Sequence, residues 1–175
     1  MSKKWINIIV VILLLLISVC VVINYYSTKG ERSFIAHLEN KTLKIESFEI
    51  TYQQIRVECN NKKVCSYLSN IFTMRNRELL GNCSSISYQI KITYNNGETF
   101  ICHMPVGEDG FCLSIPQYAS EINFPTHCYN LKDAPVELKE IHNFLNFPLE
   151  QSRGKVLIVN DNESKIIFDK SLIMP

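Results

Sequence analysis

The chain has 175 residues, which is enough for one ordinary domain plus an accessory segment. Its 18 basic and 17 acidic residues are interspersed, and the formal net charge is +1. A nucleic-acid binder needs a basic stripe that displaces counterions, and the sequence has none. We therefore expect no nucleic-acid partner. No cofactor motif is visible either, so no cofactor is expected.

The N-terminus carries an apolar run over residues 6–23, interrupted only by Asn7, Ser18 and Cys20. As a helix with a rise of about 1.5 Å per residue, the run would be roughly 27 Å long, close to the thickness of the bilayer hydrocarbon. Aromatic residues flank it at both ends, as is typical of a membrane interface. The pattern predicts a transmembrane signal-anchor helix, so the membrane is an expected partner of residues 6–23.

Two observations predict the orientation of this anchor. Lys3 and Lys4 precede the run, which favours a cytoplasmic N-terminus. Six of the seven cysteines follow the run, which favours an oxidising compartment for the rest of the chain. The predicted organisation is a cytoplasmic tail and anchor over residues 1–26, a stalk over 27–46 and an extracytoplasmic domain over 47–175.

Two other interpretations of the N-terminus stay open. A cleaved signal peptide would need a small-residue cleavage site, and only a weak one lies between Ser18 and Cys20. A bacterial lipoprotein signal would need a small residue before its cysteine, where this chain has Val19. Both alternatives also put the domain outside the membrane, on its periplasmic or extracellular face.

An even number of cysteines on one side of a membrane segment predicts disulfides. Six cysteines allow 15 pairings, and the sequence does not choose among them. The alternative is a set of reduced thiols, some of them in the core. The disulfide candidates are Cys59, Cys65, Cys83, Cys102, Cys112 and Cys128.

The first elements of the outer domain follow from alternation and turn residues. Apolar residues alternate from Phe48, and the phase reverses at Gln53-Gln54, which predicts a bulge or a tight turn there. Asn60-Asn61 is a turn and a potential helix cap. Helical spacing then predicts an amphipathic helix from Lys62 to about Asn76.

Strict alternation between Ile86 and Tyr94 predicts a strand with one buried face. Asn95-Asn96-Gly97 follows, and apolar residues alternate again on the return. A three-residue loop with Gly97 in the left-handed conformation gathers the apolar side chains on one face. This register pairs Ile92 with Phe100, Ile90 with Cys102, and Tyr88 with Met104.

The second half of the domain is predicted from turns and prolines. A turn at Gly107–Gly110 leads to a short strand at 111–115, so that Cys102 and Cys112 would lie on neighbouring strands and could be bonded. Residues 116–132 form a long loop tied down by a disulfide. Asp133 is expected to cap a helix that stops before Phe147-Pro148. Two strands around residues 160–162 close the chain as a hairpin.

These elements predict an α+β domain with a mainly antiparallel sheet and two helices, in the order β-α-β-β-β-α-β-β.

Two constellations could carry chemistry. Cys102-His103 and His127-Cys128 resemble a zinc quartet in composition, but adjacent residues on a strand point to opposite faces, so convergence on one ion is not expected. A cysteine nucleophile would pair Cys83 or Cys128 with His103, His127 or His142 and would need a free thiolate.

The sequence therefore favours a membrane-tethered extracytoplasmic binding or assembly module without catalytic activity, such as an envelope-complex subunit or an inhibitor or immunity-like protein. A protein partner is expected, with edge strands as contact sites. One alternative is a membrane-anchored enzyme that uses a cysteine-histidine or metal site. A third class is a periplasmic sensor or redox-responsive protein, which would carry a labile disulfide.

Overall fold

The computed structural model describes residues 12–22, 33–34, 36–73, 83–113, 127–146 and 149–173, without the side chains of 83–86, 127 and 149. The chain divides into two compact units, Met1–Leu38 and Glu39–Pro175. In the first unit, residues 12–22 are helical. The rest of the predicted span 6–23 lies outside the described residues, and among those that are described no helix is long and apolar enough to cross a membrane.

The second unit is an α+β domain built on one mixed sheet of eight strands. Their order in the sheet is β6-β5-β4-β3-β1-β2-β7-β8. The strands are β1 (Ile45–Tyr52), β2 (Ile55–Cys59), β3 (Cys83–Tyr94), β4 (Thr99–Gly107), β5 (Gly110–Leu113), β6 (His127–Asn130), β7 (Lys155–Val159) and β8 (Ser164–Phe168). The helices are α1 (Lys62–Phe72), α2 (Val136–Asn146) and the short α3 (Leu149–Ser152), followed by a 3-10 turn at Lys170–Leu172.

The predicted α+β class is confirmed, but the predicted order of elements is wrong in three places. The first predicted strand is two strands, β1 and β2, joined by a tight turn at Gln53-Gln54 with Gln53 at a φ of 48°. The strand β6 lies within the predicted loop 116–132, and α3 follows α2. The sheet is also mixed, because β2 and β7 run parallel.

The hairpin register predicted for β3 and β4 is confirmed. Ile92 pairs with Phe100, Ile90 with Cys102 and Tyr88 with Met104. Gly97 has a φ of 81°, so a residue with a side chain would be strained there.

The side chains that point to one face of the sheet form the core. This face carries Phe48, Ile50, Val57, Cys59, Tyr88, Ile90, Ile92, Cys102 and Met104, all of them buried. The helices α1 and α2 cover it with buried residues such as Leu68, Ile141 and Leu145. The Tyr88 hydroxyl donates a hydrogen bond to the carbonyl of Leu145 and so ties the end of α2 to the sheet.

Capping explains where the two longer helices begin. The Asn61 side chain accepts hydrogen bonds from the amides of Lys63 and Val64, so the predicted cap of α1 is confirmed. The predicted cap of α2 at Asp133 is wrong, because this helix begins only at Val136 and two residues intervene. The helix α1 ends at Phe72 with Thr73 as its C-cap, and residues 74–76 of its predicted extent lie outside the described residues.

Candidate functional sites

One of the predicted disulfides is present, between Cys112 and Cys128. The two residues lie directly opposite each other on β5 and β6, at a sequence separation of 16. Both are buried. The bond therefore crosslinks β5 and β6, and a disulfide was predicted for this part of the chain.

The hypothesis of a bond between Cys102 and Cys112 is wrong. The described pairing of β5 with β4 is Val106 opposite Phe111, near the end of β4. Cys102 lies four residues before Val106, and at about 3.3 Å per residue this puts it roughly 10 Å or more along the strand from the level of Cys112. Cys102 is a free thiol with no exposed surface, and burial raises its pKa to about 12.

The described side chains of the quartet that was considered for zinc do not form a metal site. Cys102 is buried on the core face, whereas His103 is half-buried and its Nδ1 lies 3.3 Å from the Ser87 hydroxyl. The sulfur of Cys128 is bonded to Cys112, and the side chain of His127 lies outside the described residues. Within the described residues, no group of three or more His, Cys, Asp or Glu side chains could hold a metal ion.

Among the described residues, the candidates for a cysteine nucleophile do not form a catalytic pair either. Cys128 has no free thiol, and the side chain of Cys83 lies outside the described part of the chain. His142 donates from Nε2 to the carbonyl of Gly107 at 2.8 Å, which fastens α2 to the end of β4. This histidine is thus engaged in holding the fold.

A different feature is the strand β8, which lies at one edge of the sheet. Its last three residues are apolar and exposed, with Ile166 at 57%, Ile167 at 40% and Phe168 at 60%. We call these three residues the edge patch. The sequence predicted this hairpin, but not its place at the edge, because that place depends on the pairing of β7 with β2.

The register explains why the edge patch is uncovered. Leu157 of β7 is buried on the core face, and its partner on β8 is Ile166. Ile166 and Phe168 therefore continue the apolar core face beyond the area that the helices cover, whereas Ile167, between them, lies on the opposite face of the sheet. Gly154, which precedes β7, has a φ of 73°, and a Cβ added there would contact the Phe168 ring, so the backbone of Gly154 lies close to this ring.

A second feature is a polar cleft of about 600 Å³ between the start of β1, the first turns of α1 and the β7–β8 turn. Lys62 donates its amide to Asp161 Oδ1 at 2.7 Å, and the Asn61 side chain donates to the carbonyl of Asn160 at 2.8 Å. These two bonds hold the β7–β8 turn against the N-terminus of α1. Cys65 lies in the cleft wall, where Ser69 also donates to its carbonyl.

Beneath the cleft, the thiols of Cys59 and Cys65 are neighbours, and each shifts the pKa of the other. The Cys65 thiol donates a hydrogen bond to the carbonyl of Glu46 at 3.4 Å. Both residues are free thiols in the structure and each is 2% exposed. The sequence named both as disulfide candidates but did not single out this pair, since its formation depends on how α1 folds back over β2.

Comparisons with models of protein families, with curated proteins and with solved structures give no match to this chain.

Proposed function

We propose that this protein is a membrane-tethered, extracytoplasmic binding or assembly module without catalytic activity, of the kind found as envelope-complex subunits or as inhibitor or immunity-like proteins. Its partner is a protein that adds an extended segment alongside β8. The observation that carries the proposal is the edge patch, an exposed apolar surface on a strand at the edge of the sheet.

The edge patch has the physical properties that strand addition requires. An edge strand presents backbone N–H and C=O groups that a partner strand can pair with. Natural edge strands are usually protected by charged side chains, and the edge patch itself has none. The charged residues Lys165 and Asp169 flank it in the sequence, and Asp169 is paired with Arg56. Covering the exposed parts of Ile166 and Phe168 would contribute about 1–2 kcal/mol each.

The membrane attachment in this proposal rests on the sequence. The apolar run over residues 6–23 has the length of a bilayer span, and the two lysines before it favour a cytoplasmic N-terminus. The disulfide between Cys112 and Cys128 supports an oxidising compartment for the domain, because structural disulfides persist there. The module would then act close to the bilayer surface.

Site-specific photo-crosslinking in cells tests the partner. A photoreactive phenylalanine analogue at Ile166 or Phe168, in the full chain at native expression, is expected to give one discrete protein adduct. Ile101 is the matched control, since it is a 46% exposed isoleucine on β4, away from the edge patch. An adduct of twice the mass of the chain would identify the partner strand as belonging to a second copy.

A second variant tests whether the contact is apolar. Adding Ile167→Asp to the chain with the analogue at Phe168 should abolish the adduct, because burying an unpaired carboxylate opposes binding. Identical adducts from the Ile101 position, lipid adducts alone, or no adduct at either edge position would refute the proposal.

A further inference from the structure

The thiols of Cys59 and Cys65 are brought together by two elements that are consecutive in the chain. Cys59 is the last residue of β2, and its side chain points to the core face of the sheet. Cys65 lies in the first turns of α1, where its amide donates to the carbonyl of Asn61 at 2.9 Å. The Asn61 cap therefore fixes the turn that brings the helix, and with it Cys65, back over the end of β2.

The two thiols differ in access. Cys65 is in the wall of the polar cleft, together with Lys44, Glu46 and Asp161. Cys59 lies on the core face beneath and is not among the residues of this cleft. A small molecule that enters the cleft therefore meets Cys65 first. The cleft volume of about 600 Å³ is in the range of small-molecule sites.

The two thiols also differ in acidity. The hydrogen bond that the neighbouring Cys59 thiol would donate to a Cys65 thiolate favours this thiolate and lowers the pKa of Cys65. The same bond, together with burial, raises the pKa of Cys59. Burial and the negative charges of Asp161 and Glu46 oppose the lowering at Cys65 but are smaller effects. The hydrogen bond from the Cys65 thiol to the Glu46 carbonyl, at 3.4 Å, also favours the protonated form. Since the thiolate is the nucleophile, acidity and access both favour Cys65 as the attacking residue.

We propose that Cys59 and Cys65 are a redox-active dithiol, which a small-molecule disulfide entering the cleft oxidises to an intramolecular disulfide. The site goes beyond the edge patch and does not depend on it.

The exchange proceeds in two balanced steps. The Cys65 thiolate attacks one sulfur of the small disulfide R–S–S–R, which breaks its S–S bond, forms a mixed disulfide on Cys65 and releases R–S⁻. Cys59 then loses its proton to solvent or to the released thiolate and attacks the Cys65 sulfur. The second R–S⁻ leaves and is protonated. The two protein thiols are oxidised by two electrons, and one small disulfide is reduced to two thiols.

An oxidising compartment supplies such disulfides, which agrees with the bond already present between Cys112 and Cys128. The Cys112–Cys128 bond crosslinks β5 and β6, whereas a bond between Cys59 and Cys65 would form at the wall of the cleft. Closing the Cys59–Cys65 ring would lock the connection between β2 and α1 and thereby the wall of the cleft.

Peptide mapping tests the proposal on the full chain in mild detergent. The folded protein is incubated with bis(2-hydroxyethyl) disulfide and digested with trypsin without reduction. Cleavage after Lys62 and Lys63 separates residues 57–62 from residues 64–75, so only a disulfide can hold these peptides together. The expected result is the linked pair of peptides.

Single variants test the order of events. Cys59→Ser should accumulate the mixed disulfide on Cys65, because the resolving thiol is absent. Cys65→Ser should leave Cys59 unmodified. Cys102→Ser is the matched control, since Cys102 is a buried free thiol outside the cleft, and it should oxidise like the wild type.

The kinetics add a readout that does not depend on any variant. Loss of the Cys65 thiol should be first order in the small disulfide, whereas ring closure should be independent of its concentration. The proposal is overturned if the folded wild type gives no linked peptides while the urea-unfolded chain reacts with the same reagent. Modification of Cys59 in the Cys65→Ser variant at the wild-type rate would also overturn it.

Discussion

Replacing Asn61 by alanine should destabilise the domain by more than an ordinary helix cap would suggest. The residue is 3% exposed, and its side chain accepts from the amides of Lys63 and Val64 at 3.0 and 3.1 Å. It also donates to the carbonyl of Asn160 at 2.8 Å. Loss of the cap costs about 1 kcal/mol. The Asn160 carbonyl, left without this donor, adds about 1–2 kcal/mol. We expect a total of about 2–3 kcal/mol.

Urea unfolding of the full chain in mild detergent, followed by circular dichroism, measures this cost. Asn61→Ser separates the two contributions, because serine keeps the cap but is too short to reach Asn160 in the same way, and it should cost about 1 kcal/mol. The matched control is Asn40→Ala. Asn40 Oδ1 accepts from the amide of Thr42 at 3.1 Å in an exposed turn, and its loss should cost under about 0.5 kcal/mol.

Two results would refute this reasoning. An Asn61→Ala variant within about 0.5 kcal/mol of the wild type would mean that the bonds of Asn61 contribute little to stability. Equal destabilisation by serine and alanine would mean that the cap contributes nothing and that only the bond to the β7–β8 turn matters.

Three further predictions concern other parts of the domain. Cys112→Ser should cost about 3 kcal/mol in urea unfolding, as expected for opening a loop of this length, and reductant should then have no further effect. The pKa of the Asp169 carboxyl lies below its ordinary value, mainly because the side chain and the amide of Ser171 donate hydrogen bonds to this carboxylate. The stability that these bonds contribute is therefore present above the pKa that Asp169 has in the unfolded chain, and it is lost as the pH falls through the pKa of Asp169 in the folded chain. An NMR titration should find that Ser171→Ala raises the pKa of Asp169 in the folded chain. Gly110→Ala should cost about 2 kcal/mol or more in urea unfolding, because the added Cβ would collide with a backbone carbonyl of β6. Gly97→Ala, where the space is open, should cost only the backbone strain of about 1–2 kcal/mol.

Local rules predicted the parts of the fold that are decided locally. The register of β3 with β4 followed from the alternation of side chains and the conformation that Gly97 permits. The cap at Asn61 followed from its residue type and place. In both cases, the interacting groups lie within a few residues of one another, so the sequence carries the information directly.

Features that depend on contacts between remote segments were not predicted. The strands β2 and β7 pair in parallel, but the residue pattern of either segment does not indicate the other as its partner. The strand β6 has only four residues and no clear alternation, and it is held by pairing with β5. The partner of Cys112 could not be chosen among the 15 pairings for the same reason.

The candidate sites divide in the same way. The sequence predicted that an edge strand would serve as a contact, but the identity of β8 as that edge came only from the sheet order. Cys59 and Cys65 were named as disulfide candidates, but their proximity depends on the fold of α1 over β2. Cys102 and His103 lie on opposite faces of β4, because adjacent side chains on a strand alternate between faces, and Cys128 is bonded to Cys112. The pairings that involve the side chains of Cys83 or His127 lie outside the described residues.

The bond between Asn61 and Asn160 spans 99 residues of sequence, and β2 pairs with β7 at a similar separation. During synthesis the hairpin of β1 and β2 emerges long before its neighbour, so the outer edge of β2 stays open for most of translation. Closing so long a loop is a slow step in folding, since its entropy is lost before the contacts form. The nascent domain therefore presents an unpaired strand next to reduced thiols until β7 arrives, and in this interval chaperones and thiol oxidants have access to it.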